Sequence, residues 1–197
     1  MSDATGPIKL GIIIASTRPG RVGLPVGQWV AQAAAEHGGF EIDVIDHAEV
    51  NLPLMDEPAH PRLRQYTHDH TIAWSERIDA LDAFVVVMPE YNYGFTAPLK
   101  NALDYLSQEW QYKAIGIVSY GGLSGGLRAV QMLKPVLLAL KLSPINEAVA
   151  ITAVSSHLDD EGVFEPTESL SGQARTMFAE IQRWVPALRP LRAPALA

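Results

Sequence analysis

Short apolar runs and longer helical repeats take turns along this chain. Residues 10–15, 83–88 and 114–119 are almost unbroken apolar stretches, the pattern of strands buried on both faces of a sheet. Residues 40–46 alternate apolar with acidic side chains, as in a strand with one wet face at or near a sheet edge, and residues 148–154 supply a fifth strand. Between them, Val26, Trp29, Val30, Ala33 and His37 recur at helical spacing, and Trp74, Ile78 and Leu81 do so in a helix expected over residues 67–81. Leu99, Leu103 and Leu106 mark a helix opened by Pro98, residues 127–140 one that contains Pro135, and Ala174, Met177, Phe178, Ile181, Trp184 and Val185 a last one. Residues 47–61 hold three prolines and no period, which predicts a loop. Residues 1–6 and 186–197 read as loose tails, the second because it carries three prolines.

Strands alternating with helices mean right-handed crossovers, an α/β class and one parallel sheet between two helical layers. With the wet second strand outermost, the five strands take the order 2-1-3-4-5. The 197 residues then form a single domain. Such a sheet binds ligands at its switch point, beyond the carboxyl ends of strands one and three. The loops after strands one, three and four should meet there.

Those loops carry the candidate chemistry. The first, after Ala15, holds Ser16, Thr17, Arg18, Gly20, Arg21 and Gly23 before a helix. A strand, a glycine-bearing turn and a helix start favour an anion, to which hydroxyls and guanidinium groups add donors. Neither the glycine-lysine-serine ending of a nucleotide triphosphatase loop nor a G-x-G-x-x-G dinucleotide loop is present, so a terminal phosphate monoester fits best. The second loop, Pro89, Glu90, Tyr91, Asn92 and Tyr93, offers two aromatic rings, an amide side chain and main-chain N–H groups over residues 90–93. The third, with Ser119, Gly121 and Gly122, lets the main chain come close to a ligand. Each loop alone also reads as an ordinary turn with solvated side chains. Together, a phosphate at the first and a flat ring between the others describe flavin mononucleotide (FMN).

Composition narrows the classes. A net charge of −7 argues against a nucleic-acid binder, and the lack of cysteine excludes disulfides and thiolate chemistry. The N-terminal residues show no secretory pattern and no apolar run spans a membrane, so a cytoplasmic, membrane-free protein is expected. His68 and His70, spaced i, i+2, should point to different sides of a helix and make a poor metal pair. No metal site and no catalytic acid or base is assigned.

The motifs Ala15-Ser-Thr-Arg18, Pro89-Glu-Tyr-Asn92, Leu99-Lys-Asn-Ala-Leu-Asp104 and Ser119-Tyr-Gly-Gly122 with Gly125-Gly-Leu-Arg128 resemble those of the NAD(P)H-dependent FMN reductases, which have a flavodoxin-like fold. The resemblance covers about residues 8–184, and its middle motif is the most specific. It implies flavin contacts for Glu90, Tyr91, Asn92 and Tyr93, close main-chain approach at Gly121 and Gly122, and phosphate contact for Ser16 and Arg18. Arg21 and Gly23 depart from the family's serine and asparagine, so phosphate contact through Arg21 is an inference from the residues alone. Lys100, Asn101 and Asp104 are expected to cap and brace their helix.

The resemblance further implies an oxidoreductase taking hydride from NADH or NADPH onto flavin N5 and serving a small-molecule acceptor, whether free flavin, quinone, azo compound or chromate, by ping-pong kinetics. It also implies a homodimer or homotetramer. The helix after Pro98 and residues 108–112 are the interface candidates, with Trp110 capping a partner's flavin. An electron carrier or flavin-binding module without NAD(P)H turnover is the rival reading, and a scaffold that has lost its flavin a third.

Overall fold

Burial on both faces decides where the strands lie. The structure is a computed structural model describing residues 6–192; the outermost parts of both expected tails, residues 1–5 and 193–197, lie outside the described residues. Five parallel strands, β1 (Ile8–Ile14), β2 (Phe40–Asp46), β3 (Ala83–Pro89), β4 (Ala114–Tyr120) and β5 (Ser143–Ile151), form one sheet in the order β2-β1-β3-β4-β5. This is the flavodoxin-like order expected from the hydrophobic pattern. Alternate side chains of each strand feed two cores. Leu10, Ile12, Val85, Val87 and Val118 meet α1 (Gly23–His37) and α6 (Glu168–Leu188) on one face. Ile13, Phe84, Val86 and Met88 meet α3 (Asp69–Asp79), α4 (Ala97–Asp104) and α5 (Leu127–Ala139) on the other. Each such fully buried aliphatic side chain contributes about 1.5–3 kcal/mol. A four-residue α2 (His47–Val50) follows β2 directly, with Asp46 capping it by accepting from the Ala48 amide. Among the described residues, no helix is long and apolar enough to cross a membrane.

Several expectations are corrected. The fifth strand begins at Ser143, not at residue 148, and ends at Ile151. Its Pro144 is tolerated because β5 is an edge strand, and the register shifts between Ile115 and Ile117 beside it. It stops early because the chain turns at Ala153, which has φ +45°, to bond the third loop.

Residues 186–192 are not loose. The last helix runs through Pro186 to Leu188 and a 3-10 turn follows over Arg189–Arg192. Arg189 (3.2 Å) and Arg192 (3.0 Å) both reach the Asp82 carboxylate, and Arg192 also donates to the Tyr112 carbonyl.

Trp110 does not stand exposed at an interface. It is 1% exposed, donates to the Leu103 carbonyl at 3.1 Å and packs on Phe84 with ring centroids 5.1 Å apart. It cannot cap a partner's flavin from there.

His68 and His70 do not diverge either. Helix α3 starts only at Asp69, so His68 keeps an extended backbone and its ring stacks on that of His70 at 5.2 Å.

Candidate functional site

The carboxyl ends of β1, β3 and β4 bring the three expected loops together, and a few side chains fix how they meet. Thr96 ties the first to the second. Its hydroxyl donates to the Ala15 carbonyl at 2.7 Å and accepts from the Leu99 amide, so one buried residue caps α4 and anchors the end of β1. Ser16 is fully buried and its Oγ lies 2.9 Å from the Tyr91 hydroxyl, a second link between the same loops.

The first loop is closed by an Arg18 carbonyl to Arg21 amide bond of 3.0 Å. Helix α1 begins at Gly23, where glycine is required by space: a Cβ there would lie 2.5 Å from the Tyr120 hydroxyl. Tyr120, the last residue of β4, is 5% exposed, and burial holds its hydroxyl protonated well above the ordinary range. Arg18 is exposed at the mouth of a recess of about 180 Å³ walled by Gly20, Arg21, Pro89, Tyr91, Tyr120 and Gly121. Arg21, by contrast, is committed to Asp46, its ion-pair partner at the end of β2. Its Nε–H is buried without an acceptor.

The second loop is a tight hairpin. Tyr91 and Gly94 exchange two main-chain hydrogen bonds of 2.9 Å, and the two residues between them, Asn92 and Tyr93, both have positive φ, +51° and +69°. Paired positive φ values define the primed hairpin turn, a conformation that strains a tyrosine. Of the four amides over residues 90–93, Glu90 donates to the Tyr120 carbonyl and Tyr91 to Gly94. Among the described residues, those of Asn92 and Tyr93 are left uncommitted.

Arg128, in the first turn of α5, holds this hairpin. Its guanidinium lies 3.9 Å from the Tyr93 ring centroid and forms an ion pair with Glu90. Glu90 also accepts from the Ser124 hydroxyl (2.9 Å) and the Arg128 amide (3.2 Å). The Arg128 bond holds the Glu90 carboxyl below the usual carboxylate range, so the residue is ionised.

The third loop is braced from behind. The buried Ser119 hydroxyl donates to the Gly125 carbonyl at 2.7 Å, and the Gly121 and Gly122 carbonyls accept from Val154 (3.1 Å) and Ala153 (3.0 Å). Gly121 faces Gly126 closely, whereas a Cβ at Gly122 would meet nothing within 4 Å. Glycine at residue 122 is therefore not demanded by the protein itself.

The sequence-predicted residues Ser16, Arg18, Arg21, Gly23, Pro89, Glu90, Tyr91, Asn92, Tyr93, Ser119, Gly121 and Gly122 thus share one sheet end, but not one role in its geometry. Pro89 and Ser119 shape the walls from inside the sheet, while Arg18, Tyr91, Asn92 and Tyr93 are exposed. Four residues to which the sequence reading gave no part in the site, Asp46, Thr96, Tyr120 and Arg128, organise it. Tyr120 and Arg128 stood within recognisable motifs; Asp46 and Thr96 act through partners distant in the chain. Lys100 and Asp104 pair across one turn of α4, and the Asn101 amide donates to the Pro53 carbonyl, so this trio braces its helix.

The chain is similar to known proteins in sequence and in fold. The chain is 35% identical over 180 residues to an NAD(P)H-dependent FMN reductase of Schizosaccharomyces pombe, covering 89% of each. It is 41% identical over 115 residues to an NAD(P)H:quinone oxidoreductase of Solanum tuberosum, covering 55% of this chain and 56% of the other. The solved structure of FerB, a flavoenzyme NAD(P)H:(acceptor) oxidoreductase from Paracoccus denitrificans, superposes with a TM-score of 0.74 at 17% identity, covering 92% and 98% of the two chains; at that identity it speaks for the fold. The model of the NADPH-dependent FMN reductase family matches residues 8–155, and the chain belongs to that family.

Proposed function

We propose that the protein is an FMN-dependent oxidoreductase that takes hydride from NADH or NADPH and delivers electrons to a small-molecule acceptor by a ping-pong mechanism. One observation carries the reading. The exposed Arg18 stands at the mouth of a recess of about 180 Å³ at the start of α1, walled by Gly20, Arg21, Tyr91 and Gly121. An accessible guanidinium beside a helix N-terminus is what an anionic group completes. The residues present therefore fit the cofactor.

Arg18 and the amides at the start of α1 would hold the phosphate, with Arg21 steered by Asp46. Tyr91, Asn92 and Tyr93 would present two rings and the free Asn92 and Tyr93 amides to the flavin's polar edge, and the Gly121–Gly122 main chain would flank it. Bound there, FMN supplies a two-electron carrier that accepts hydride at N5. The chain contributes position and polarity. The Glu90–Arg128 pair braces the hairpin, and the buried Ser16 hydroxyl ties the first loop to Tyr91.

The tips of the second and third loops are exposed, and donor and acceptor would take turns at the face they leave toward solvent. That is the physical basis for ping-pong kinetics. The potato relative makes quinones the first acceptors to try; free flavin, azo dyes and chromate come next. A homodimer or homotetramer is part of this reading, with the exposed Leu54, Leu63 and Leu123 as unspent apolar surface.

Anaerobic rapid mixing of the FMN-loaded protein with NADH or NADPH tests it. The flavin's visible absorbance should be lost in one fast phase and return on adding a quinone. Absorbance loss only after adding a separate reductase would assign an electron carrier instead. A protein that stays colourless after incubation with FMN would remove the flavin reading altogether.

A further inference from the structure

Tyr120 closes β4, but its side chain ends at the start of α1. The ring packs in the core shared by α1 and α6, and the hydroxyl reaches the first turn of α1, where the missing side chain of Gly23 makes room for it. A Cβ on Gly23 would lie 2.5 Å from that oxygen, 3.4 Å from the ring carbon that bears it and 3.5 Å from the Ser16 Cβ. Glycine at the helix start and tyrosine at the strand end are therefore one arrangement. The helix gives up a side chain, and a phenol from β4 takes its place.

Tyr120 lines the recess at the start of α1 with the 5% of its surface that stays exposed. At about 180 Å³ the recess is below the range of whole small-molecule sites, so it receives one end of a larger ligand. Most polar side chains around it are spent. Tyr91 shares a hydrogen bond with Ser16, Arg21 is paired with Asp46, and Glu90, the carboxylate on the wall, serves Arg128 and Ser124. Ser16 is also the hydroxyl neighbour of Tyr120. Among the described residues, no carbonyl or carboxylate accepts the phenol's proton, and burial keeps that proton in place. Tyr120 therefore holds a donor in hand beside the guanidinium groups of Arg18 and Arg21 and the N-terminus of α1. In that field the acceptor that fits is an anion.

We propose that the Tyr120 hydroxyl is a direct ligand of the cofactor's anionic end, donating to the FMN phosphate from the buried side of the recess while Arg18 meets it at the mouth. The proposal rests on the flavin reading and adds to it a phosphate ligand that comes from β4, outside the first loop. It makes Tyr120 a specificity residue, one that favours the phosphorylated flavin over riboflavin.

Fluorescence titrations with FMN and with riboflavin, on wild type, Tyr120→Phe and Gly23→Ala, test it. Tyr120→Phe removes one oxygen. FMN should bind about tenfold more weakly, the loss of one hydrogen bond to a charged acceptor, while riboflavin changes less than about twofold. The phosphorus resonance of bound FMN should also move between wild type and this variant. Gly23→Ala drives a methyl group into the hydroxyl and should weaken FMN binding as much, again sparing riboflavin. If Tyr120→Phe does not fold, Gly23→Ala decides. Equal losses for FMN and riboflavin would make Tyr120 a structural residue and overturn the proposal, as would unchanged FMN affinity. A wild type that binds both flavins equally would overturn it while leaving the flavin reading standing; one that binds neither would remove both.

Discussion

The guanidinium of Arg128 lies 3.9 Å from the centroid of the Tyr93 ring while pairing with Glu90 at the base of the same hairpin. Tyr93 adopts φ +69°, which L side chains avoid, so the stacked cation compensates a strained turn. A residue of α5 thereby sets the shape of a loop that follows β3. Replacing Arg128 by Ala removes both contacts. Both partners of the stack are well exposed, so FMN affinity should fall by only about 2- to 5-fold. Arg128→Lys keeps the charge without the planar stack and should recover only part of it. Fluorescence titration with FMN measures both.

Asp46 pairs with Arg21 and caps α2, with the two side chains 6% and 17% exposed. Asp46→Asn can still accept from the Ala48 amide but loses the ionic partner. Stability should drop by about 2–3 kcal/mol, read from urea unfolding. Phosphate binding should move the other way, because the freed Arg21 guanidinium gains an anion. FMN should bind more tightly to the variant, and riboflavin, which has no phosphate, should not.

The sheet order was legible because burial writes itself into residue choice. The wet face of β2 is spelled by Glu41 and Asp43, and β1, β3 and β4 by runs of Ile, Val and Ala. The three loops were legible only jointly: each alone reads as a turn, and the sheet order is what brings them to one end. Contacts across the chain were not. Nothing local to Asp46 announces Arg21, and nothing near Thr96 announces the Ala15 carbonyl 81 residues away. Proline misled the reading at Pro186, where the packing of α6 tolerates it. Trp110 misled it too, because its neighbours Gln108, Gln111 and Tyr112 look solvated while its own ring turns inward.

Trp110 is therefore predicted to matter for stability and not for flavin capping. It sits against Phe84 and Trp74 and beside Glu109, a fully buried carboxylate that accepts from Tyr66 and Ser75 (both 2.8 Å) and pairs with Arg64 (3.1 Å). Trp110→Ala should cost about 3–5 kcal/mol of unfolding free energy. FMN affinity in the fraction that stays folded should change less than about twofold. Thermal unfolding followed by FMN titration below the transition separates the two effects.

His47 makes stability depend on pH in a defined window. Burial lowers its pKa from 6.5 to about 4, with Asp46 acting upward and Arg77 downward. Between those values the unfolded chain binds a proton that the folded protein does not, so stability rises with pH there. Above about pH 6.5 the contribution is full; as the pH falls toward 4 it is lost, by about 3 kcal/mol in all. His47→Phe removes the titrating group and should flatten the profile across this interval. Urea unfolding of wild type and variant at half-unit pH steps compares the slopes. Equal slopes would mean that the folded protein protonates His47 as readily as the unfolded chain does.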